Sequence, residues 1–268
     1  MNYKYGIAPV CGDTEEHLKI IRSVGFDATF TGWNHDKTED FANLCNRLGL
    51  YYQSIHAPFR GVHEIWNDSD EGKIVLGQLM SCLDDCNRFD IPIMVVHPFI
   101  GFNDHTPTEA GLNNFSLLVD KATRLGVKLG FENVEGEEYL AAIMTRFSDC
   151  DAVGFCFDSG HQLCYNGSTD MMALYGDRLI HTHLNDNLGV TGNRITWRDD
   201  FHMPVGEGIS DWREVMRKIR ASGYTDVLMC ELSLENKPDR HELDRYIEMP
   251  IEQFYSFALD RVKRLELL

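Results

Sequence analysis

The 268-residue chain has no apolar run approaching ~18 uncharged residues, so it predicts no membrane-spanning helix. The N-terminus reads Met1-Asn2-Tyr3-Lys4-Tyr5-Gly6. It lacks a basic start followed by an apolar stretch and does not read as a secretory signal. None of the 8 cysteines, at 11, 45, 82, 86, 150, 156, 164 and 230, forms a C-x-x-C pair. Cys82 and Cys86 lie one helical turn apart, a spacing that packing explains without zinc. Scattered cysteines in an unsignalled chain of this length predict a reduced, cytoplasmic setting. No G-x-G-x-x-G or P-loop pattern supports an open, nucleotide-binding sheet. Basic charge is also scarce, with 25 Lys and Arg against 42 Asp and Glu and a net charge of -17. A protein that grips nucleic acid usually presents a basic footprint, so the balance argues against that partner.

What is present is a core-forming composition, 43% hydrophobic and 25% charged. Short β-rich runs recur at Tyr3–Pro9, Asp27–Gly32, Tyr51–Pro58, Pro92–Phe99, Val127–Val134, Gly154–Gly160, Leu179–Asp186 and Asp226–Ser233. Ile93-Met94-Val95-Val96 is apolar at every position, as a strand buried on both faces should be. Helical patterns fill the gaps. Asp13-x-x-Glu16, Thr106-x-x-Glu109 and Asp211-x-x-Glu214 read as capping boxes, with Pro107 at the first helical position of the second. Gly25, Gly49, Gly126 and Gly223 stand where helices should stop before the next strand. The last helix, roughly 240–266, is expected to be the longest. Eight strands alternating strictly with eight helices predict an α/β fold, a single-domain (β/α)8 TIM barrel over residues 1–268.

In such a barrel, chemistry sits at the C-terminal strand ends and the loops that follow. Six consecutive predicted strands end in metal-capable side chains: His56, His97, Glu132, Asp158 with nearby His161, His183, and Glu231. The loop after strand seven adds Asp200 and His202. One such histidine is more often structural, and one such acid often caps the next helix. Six in succession are different. Glu132, Asp158, Asp200 and Glu231 crowded in one mouth would repel one another without cations. A divalent metal site is therefore expected, and mixed imidazole and carboxylate donors suit Mn or Zn as well as Fe or Co. Alternation puts His181 and His183 on the same side of their strand, with His183 nearer the mouth and His181 a layer deeper.

These residues resemble the xylose-isomerase-like TIM-barrel superfamily, which holds sugar isomerases and epimerases together with endonuclease IV. The matching pieces are His56-Ala57-Pro58, His97-Pro98, Glu132-Asn133, Asp158-x-x-His161, His183-Leu184-Asn185-Asp186, Asp200-x-His202, Gly206-Glu207-Gly208 and Glu231. The resemblance implies one divalent ion held by Glu132, Asp158, His183 and Glu231, with His161 beside the substrate. It also implies a fuller option. Endonuclease IV holds three zinc ions with nine ligands, and all nine positions are metal-capable here, with His56, His97, His161, Asp200 and His202 as the additional donors. The loop Phe59–Trp66 does not resemble that enzyme's DNA-reading segment.

The expected reaction is isomerisation or epimerisation of a small sugar or sugar phosphate. Metal would polarise a carbonyl, Glu132 and Glu231 would exchange the neighbouring proton through an enediolate, and His161 would assist. Trp33, Trp66 and Trp197, on loops after strands, are candidates to stack on the sugar. Arg60, Arg194 and Arg198 are candidates to hold a phosphate or carboxylate. A multi-zinc phosphodiesterase and a sugar or inosose dehydratase are the alternatives. A homodimer is in keeping with barrels of this kind.

Overall fold

Eight short parallel strands carry the fold of the computed structural model, which describes residues 3–10, 14–102 and 106–268. They are β1 (Lys4–Ile7), β2 (Ala28–Gly32), β3 (Tyr51–His56), β4 (Ile93–Val96), β5 (Lys128–Glu132), β6 (Val153–Asp158), β7 (Leu179–His183) and β8 (Val227–Cys230). Every expected strand is present, trimmed where its ends leave the ladder for a loop. The hydrogen-bonded order is β7-β6-β5-β4-β3-β2-β1-β8. Between β8 and β7 the seam is sparse, bridged only just past the strand ladder. Leu184 N donates to Met229 O at 2.7 Å and Glu231 N to Leu184 O at 3.3 Å. The Thr182 hydroxyl accepts from Met229 N and donates to Val227 O, standing in for a backbone group. The chain is thus a nearly closed (β/α)8 barrel.

Burial follows from the strand period. In β4 all four residues are buried, with Ile93 and Val95 packed on Cys156 and Met94 and Val96 joining the large outer core. Ala28, Phe30, Val227 and Met229 form a separate inner cluster. At the mouth the same inward phase presents His56, Glu132, Asp158 and His183 as the last residues of their strands. The residues just past β4 and β8 are His97 and Glu231.

Several helix boundaries need correction. The helix expected to start at Pro107 runs Glu109–Leu125, and its cap is Thr108, whose hydroxyl accepts from Gly111 N. Asp211 does cap Trp212–Ala221, but Glu214 reaches forward to Arg217 instead of back to the cap. Asp13 lies outside the described residues. Gly25, Gly49, Gly126 and Gly223 all take positive φ, as expected of helix ends. Between β6 and β7 there are two short α-helices, Ser159–Cys164 and Met171–Tyr175, and the 3-10 turn Gly176–Arg178. The C-terminal segment is not one long helix. It breaks into Asp244–Ile247 and Ile251–Arg264 at Pro250, whose ring cannot sit inside a continuous helix. The longest helix among the described residues is Asp70–Arg88, at 19 residues.

The loop after β7 is held by one buried acid. Asp186 accepts from Gly206 N, Ser210 N, Ser210 Oγ and Trp212 Nε1, with distances of 2.7 to 3.1 Å. Gly208 packs so closely that a Cβ would sit 2.4 Å from Asn187 O and from Asp186 Oδ1, which only glycine permits. Glu207 ties the same turn to Arg245, Arg261 and Tyr246. Asp186→Ala strands several buried donors at once and is expected to cost about 3 kcal/mol or more of stability. Thermal unfolding checks this, and a loss below about 1 kcal/mol would remove the anchoring role.

Candidate metal centre

The strand ends converge as the sequence predicts. Glu132, Asp158, His183 and Glu231 each offer a donor atom within 4.8 Å of the others. So do His56, His97 and Glu132 as a second group, and Asp158, His161 and His202 as a third. Glu132 and Asp158 therefore join the groups into one continuous cluster. His183 Nδ1 lies 3.1 Å from Glu132 Oε1 and 3.1 Å from Glu231 Oε2. A single N–H cannot point at both carboxylates, whereas a cation would satisfy all three donors. His56 Nε2 and His97 Nε2 are 3.2 Å apart and lie 3.4 and 3.2 Å from Glu132 Oε2. On the other side, Asp200 Oδ2 sits 3.4 Å from His161 Nε2 and 3.1 Å from His202 Nε2. Tetrahedral zinc with ~2.0–2.1 Å bonds to nitrogen places its ligands about 3.3 Å apart, which these separations match.

The imidazoles are also set for ligation. His56 Nδ1 faces Ala57 O at 2.8 Å, His161 Nδ1 faces Asn133 O at 3.0 Å, and His202 Nδ1 faces Glu231 O at 3.1 Å. A carbonyl oxygen only accepts, so each Nδ1 carries a proton and each Nε2 is turned to the cluster. This is the arrangement that fixes the tautomer of metal-binding histidines. Glu132 Oε2, the oxygen facing His56 and His97, is buried without a hydrogen-bond partner. The donor set fits a divalent cation.

Asparagines hold Asp158 in place. Asn133 Oδ1 accepts from Asp158 N at 2.8 Å, and Asn185 Nδ2 donates to Asp158 Oδ2 at 2.8 Å. Asp158 Oδ1 also caps the following helix by accepting from His161 N at 2.7 Å. The Glu-Asn and His-Leu-Asn-Asp motifs had placed Asn133 and Asn185 in the sequence, but one-dimensional spacing gave them no role.

Electrostatics divide the site. Burial pushes Asp158 up, to about 6, against the pull of His161 and His202. Burial also opposes ionisation of Glu132, but His183 and His97 outweigh it and hold that carboxyl well below its usual range. Glu231 is likewise driven down to about 2, as His183 and His202 overcome desolvation. Desolvation disfavours the charged forms of His161 and His202, yet Asp158 and Asp200 raise the first and Asp200 raises the second to about 9. His97 goes the other way, because burial dominates. His181 sits a layer below the mouth, with Nε2 3.2 Å from Ser54 Oγ, and burial lowers its pKa strongly.

The expected substrate-binding residues separate into three places. Trp33 and Arg60 line a cavity of about 430 Å3 that reaches His56 and Glu231. Trp33 is fixed there by its Nε1–H, which donates to Asp85 Oδ2 at 2.7 Å. Arg194, Trp197 and Arg198 line a second cavity of about 660 Å3. Arg198 is already engaged, donating to Pro238 O and Asp239. Contrary to expectation, Trp66 does not reach the mouth. It is 2% exposed, packs on Phe115 and Tyr139, and donates from Nε1 to Pro98 O at 2.7 Å. The 3-10 turn Val62–Trp66 folds it onto Gly111, where a Cβ would lie 2.2 Å from the indole. Three other aromatics border these cavities without belonging to any recognisable motif: Phe59 beside Trp33, and Phe102 and Tyr165 beside Trp197.

A curated protein of Sinorhizobium fredii, uncharacterised protein y4fM, is 24% identical over 91% of this chain and 90% of its own length. The solved IolI protein with a bound zinc atom superposes with TM-score 0.77 at 17% identity, over 98% of this chain and 97% of the other. A D-tagatose 3-epimerase-like protein gives 0.70 at 21% identity, over 97% and 99%. A fusion of a xylose isomerase-like barrel with 4-hydroxyphenylpyruvate dioxygenase gives 0.76 at 19% identity. This chain is 99% covered there but spans 43% of the fused protein. At these identities the structural likenesses speak for the fold. The family profile described as xylose isomerase-like TIM barrel matches residues 18–249. With most of its length matched, the chain belongs to the xylose isomerase-like TIM barrel family.

Proposed function

We propose that the protein is a divalent-metal-dependent isomerase or epimerase of a sugar, working by proton transfer next to a carbonyl. The observation that carries this reading is the pair Glu132 and Glu231, each 3.1 Å from His183 Nδ1 at the base of a mouth cavity. Glu132, Asp158, His183 and Glu231 would hold the central ion, with Mn or Zn suited to the donors. When bound, that ion supplies Lewis-acid polarisation of the substrate carbonyl and its neighbouring hydroxyl. The D-tagatose 3-epimerase-like neighbour and the zinc-binding IolI neighbour favour the same class.

The chain's own residues then divide the work. Glu231 keeps 22% of its side chain exposed and lines the Trp33 cavity, while Glu132 is fully buried. Glu231 is therefore the carboxylate placed to take the proton from carbon. The bonding pair moves toward the carbonyl oxygen to give an enediolate, and Glu132 or Glu231 returns a proton at the opposite face or adjacent carbon. With its pKa held near 2, Glu231 stays ionised at neutral pH, ready as a base though a weak one. Trp33 and Phe59 wall the cavity and exclude water.

A second reading has its own observation. The triads His56–His97–Glu132 and His161–Asp200–His202 would hold two further ions, as a multi-zinc phosphodiesterase requires. Against it stand the net charge of -17 and a mouth cavity on the β3 side with one arginine, Arg60. The experiment is incubation of metal-loaded protein with aldoses, ketoses and inososes in deuterated water. Exchange at one carbon is the expected outcome, and loss of water from an inosose would identify a dehydratase. Absence of exchange together with catalytic cleavage of abasic DNA would replace the isomerase with the phosphodiesterase.

A further inference from the structure

Just past β7, successive side chains hold different parts of the mouth. Asn185 and Asn187 are both fully buried and both pack on Gly160, where a Cβ would overlap the two amides. Asp186, between them, anchors the turn around Gly208. Asn185 donates to Asp158, a member of the central donor group. Asn187 instead reaches the segment Asp200-Phe201-His202, which the antiparallel bridge between Asp186 and Met203 brings back beside it.

One amide uses both of its ends there. Asn187 Oδ1 accepts from Phe201 N at 2.7 Å and from His202 N at 3.1 Å, and its Nδ2 donates to Asp200 Oδ1 at 3.3 Å. His202 has a φ of 52°, in the left-handed region that a residue with a side chain rarely takes. Such a backbone persists where its surroundings over-determine it. Here His202 N donates to Asn187, its carbonyl accepts from Ser233 N at 3.0 Å, and its Nδ1 donates to Glu231 O at 3.1 Å. That leaves Nε2 turned to Asp200 Oδ2, at 3.1 Å. Asp200 is divided in the same way. Its Oδ1 is drawn back to the Asn187 amide, with Cys164 Sγ 3.9 Å away, while its Oδ2 faces His202 and His161.

We infer that Asn187 is the positioning residue that sets Asp200 and His202 as a donor pair for a second cation, apart from the central one. This rests on the divalent-metal reading of the mouth. A neutral amide suits the task. Its N–H steadies one oxygen of Asp200 and leaves the other, with the charge, to the cluster. Its carbonyl satisfies two backbone donors that burial would otherwise strand. The two asparagines thus divide the mouth, Asn185 serving Asp158 of the central group and Asn187 serving the outer pair.

Zinc binding to the full chain, measured by competition with a chelating dye, tests this on affinity and not on turnover. The parent protein should hold at least two zinc ions, and the one that Asp200→Ala loses is the outer one. Asn187→Ala should weaken the outer ion by about 10- to 100-fold, the usual effect of removing a group that orients a ligand, and leave the central ion within about threefold. In a chain already carrying Asp200→Ala and His202→Ala, the same substitution should change zinc binding no further, whereas a general loosening of the fold would add its loss in every background. Asn187→Asp keeps the shape and both backbone contacts but sets a carboxylate against Asp200. It should fold even where alanine does not, and bind the outer ion less tightly than the parent. Undiminished outer binding in both variants, loss of both ions together, or a parent protein with a single zinc would overturn the inference and leave the isomerase standing. No zinc at all would overturn both.

Discussion

Replacing Glu231 with glutamine should lower solvent-deuterium exchange into the substrate by about 10²–10⁴, the usual weight of a positioned acid or base. The shape of the side chain is preserved, so the barrel should still fold. Glu132→Gln should match or exceed the loss, because Glu132 lies in two of the metal-capable groups and is wholly buried among His56, His97 and His183. The two variants separate by metal content. Glu231→Gln removes one donor at the partly exposed edge, whereas Glu132→Gln weakens both groups that share it. If Glu231→Gln exchanged within about threefold of the parent protein, it would not be the base, since far larger losses follow removal of one.

Metal should stabilise the fold strongly, and more so as pH rises from 6 to 8. An ion at a thousand times its dissociation constant adds about 4 kcal/mol. For a chain of this size that is a rise of roughly 8–16 °C in melting temperature. The pH trend follows from the protons that the ion displaces. Without metal, burial opposes but Asp200 raises His202 to about 9, and Asp158 and Asp200 raise His161. Groups with raised folded pKa contribute stability that is complete below the unfolded value, near 6.5 for histidine, and lost as pH climbs through the folded one. Asp158, raised to about 6, acts in the same direction, its contribution fading as pH passes 6. Glu231, lowered to about 2, contributes above its unfolded value near 4.5 and loses that contribution only in acid. The metal-free chain therefore weakens toward alkaline pH while ligands shed protons and bind metal better. Melting curves with and without zinc at pH 6, 7 and 8 should diverge, and calorimetry should find protons released on binding. Parallel curves and no proton release would contradict this electrostatic account.

Much of this architecture is legible in one dimension because its signals are local or periodic. Ile93–Val96 announces a two-sided strand by composition alone, and its neighbours repeat the pattern at barrel spacing. The ligand candidates are legible because each closes a strand, and parallel strands in a barrel bring their C-terminal ends to one place. What failed depended on tertiary packing. Trp66 follows a strand like the other loop tryptophans, but its direction is decided by a turn and a glycine 45 positions away in sequence. The C-terminal helix has continuous amphipathic residues on both sides of Pro250, and the proline still breaks it. Thr106 and Thr108 are equivalent caps by type, and the choice of Thr108 follows its second hydrogen bond, to Trp66 O. Phe59, Phe102 and Tyr165 carry no spacing signal, because their places beside the two cavities are set by separate segments of chain.

Anomalous diffraction from crystals grown with zinc or manganese tests the centre most directly. A peak about 2.0–2.3 Å from donor atoms of Glu132, Asp158, His183 and Glu231 is the predicted result, with further peaks by His56–His97 or Asp200–His202 if more ions bind. Cation density located elsewhere, with those four side chains left bonded only to one another, would contradict a metal-centred mouth.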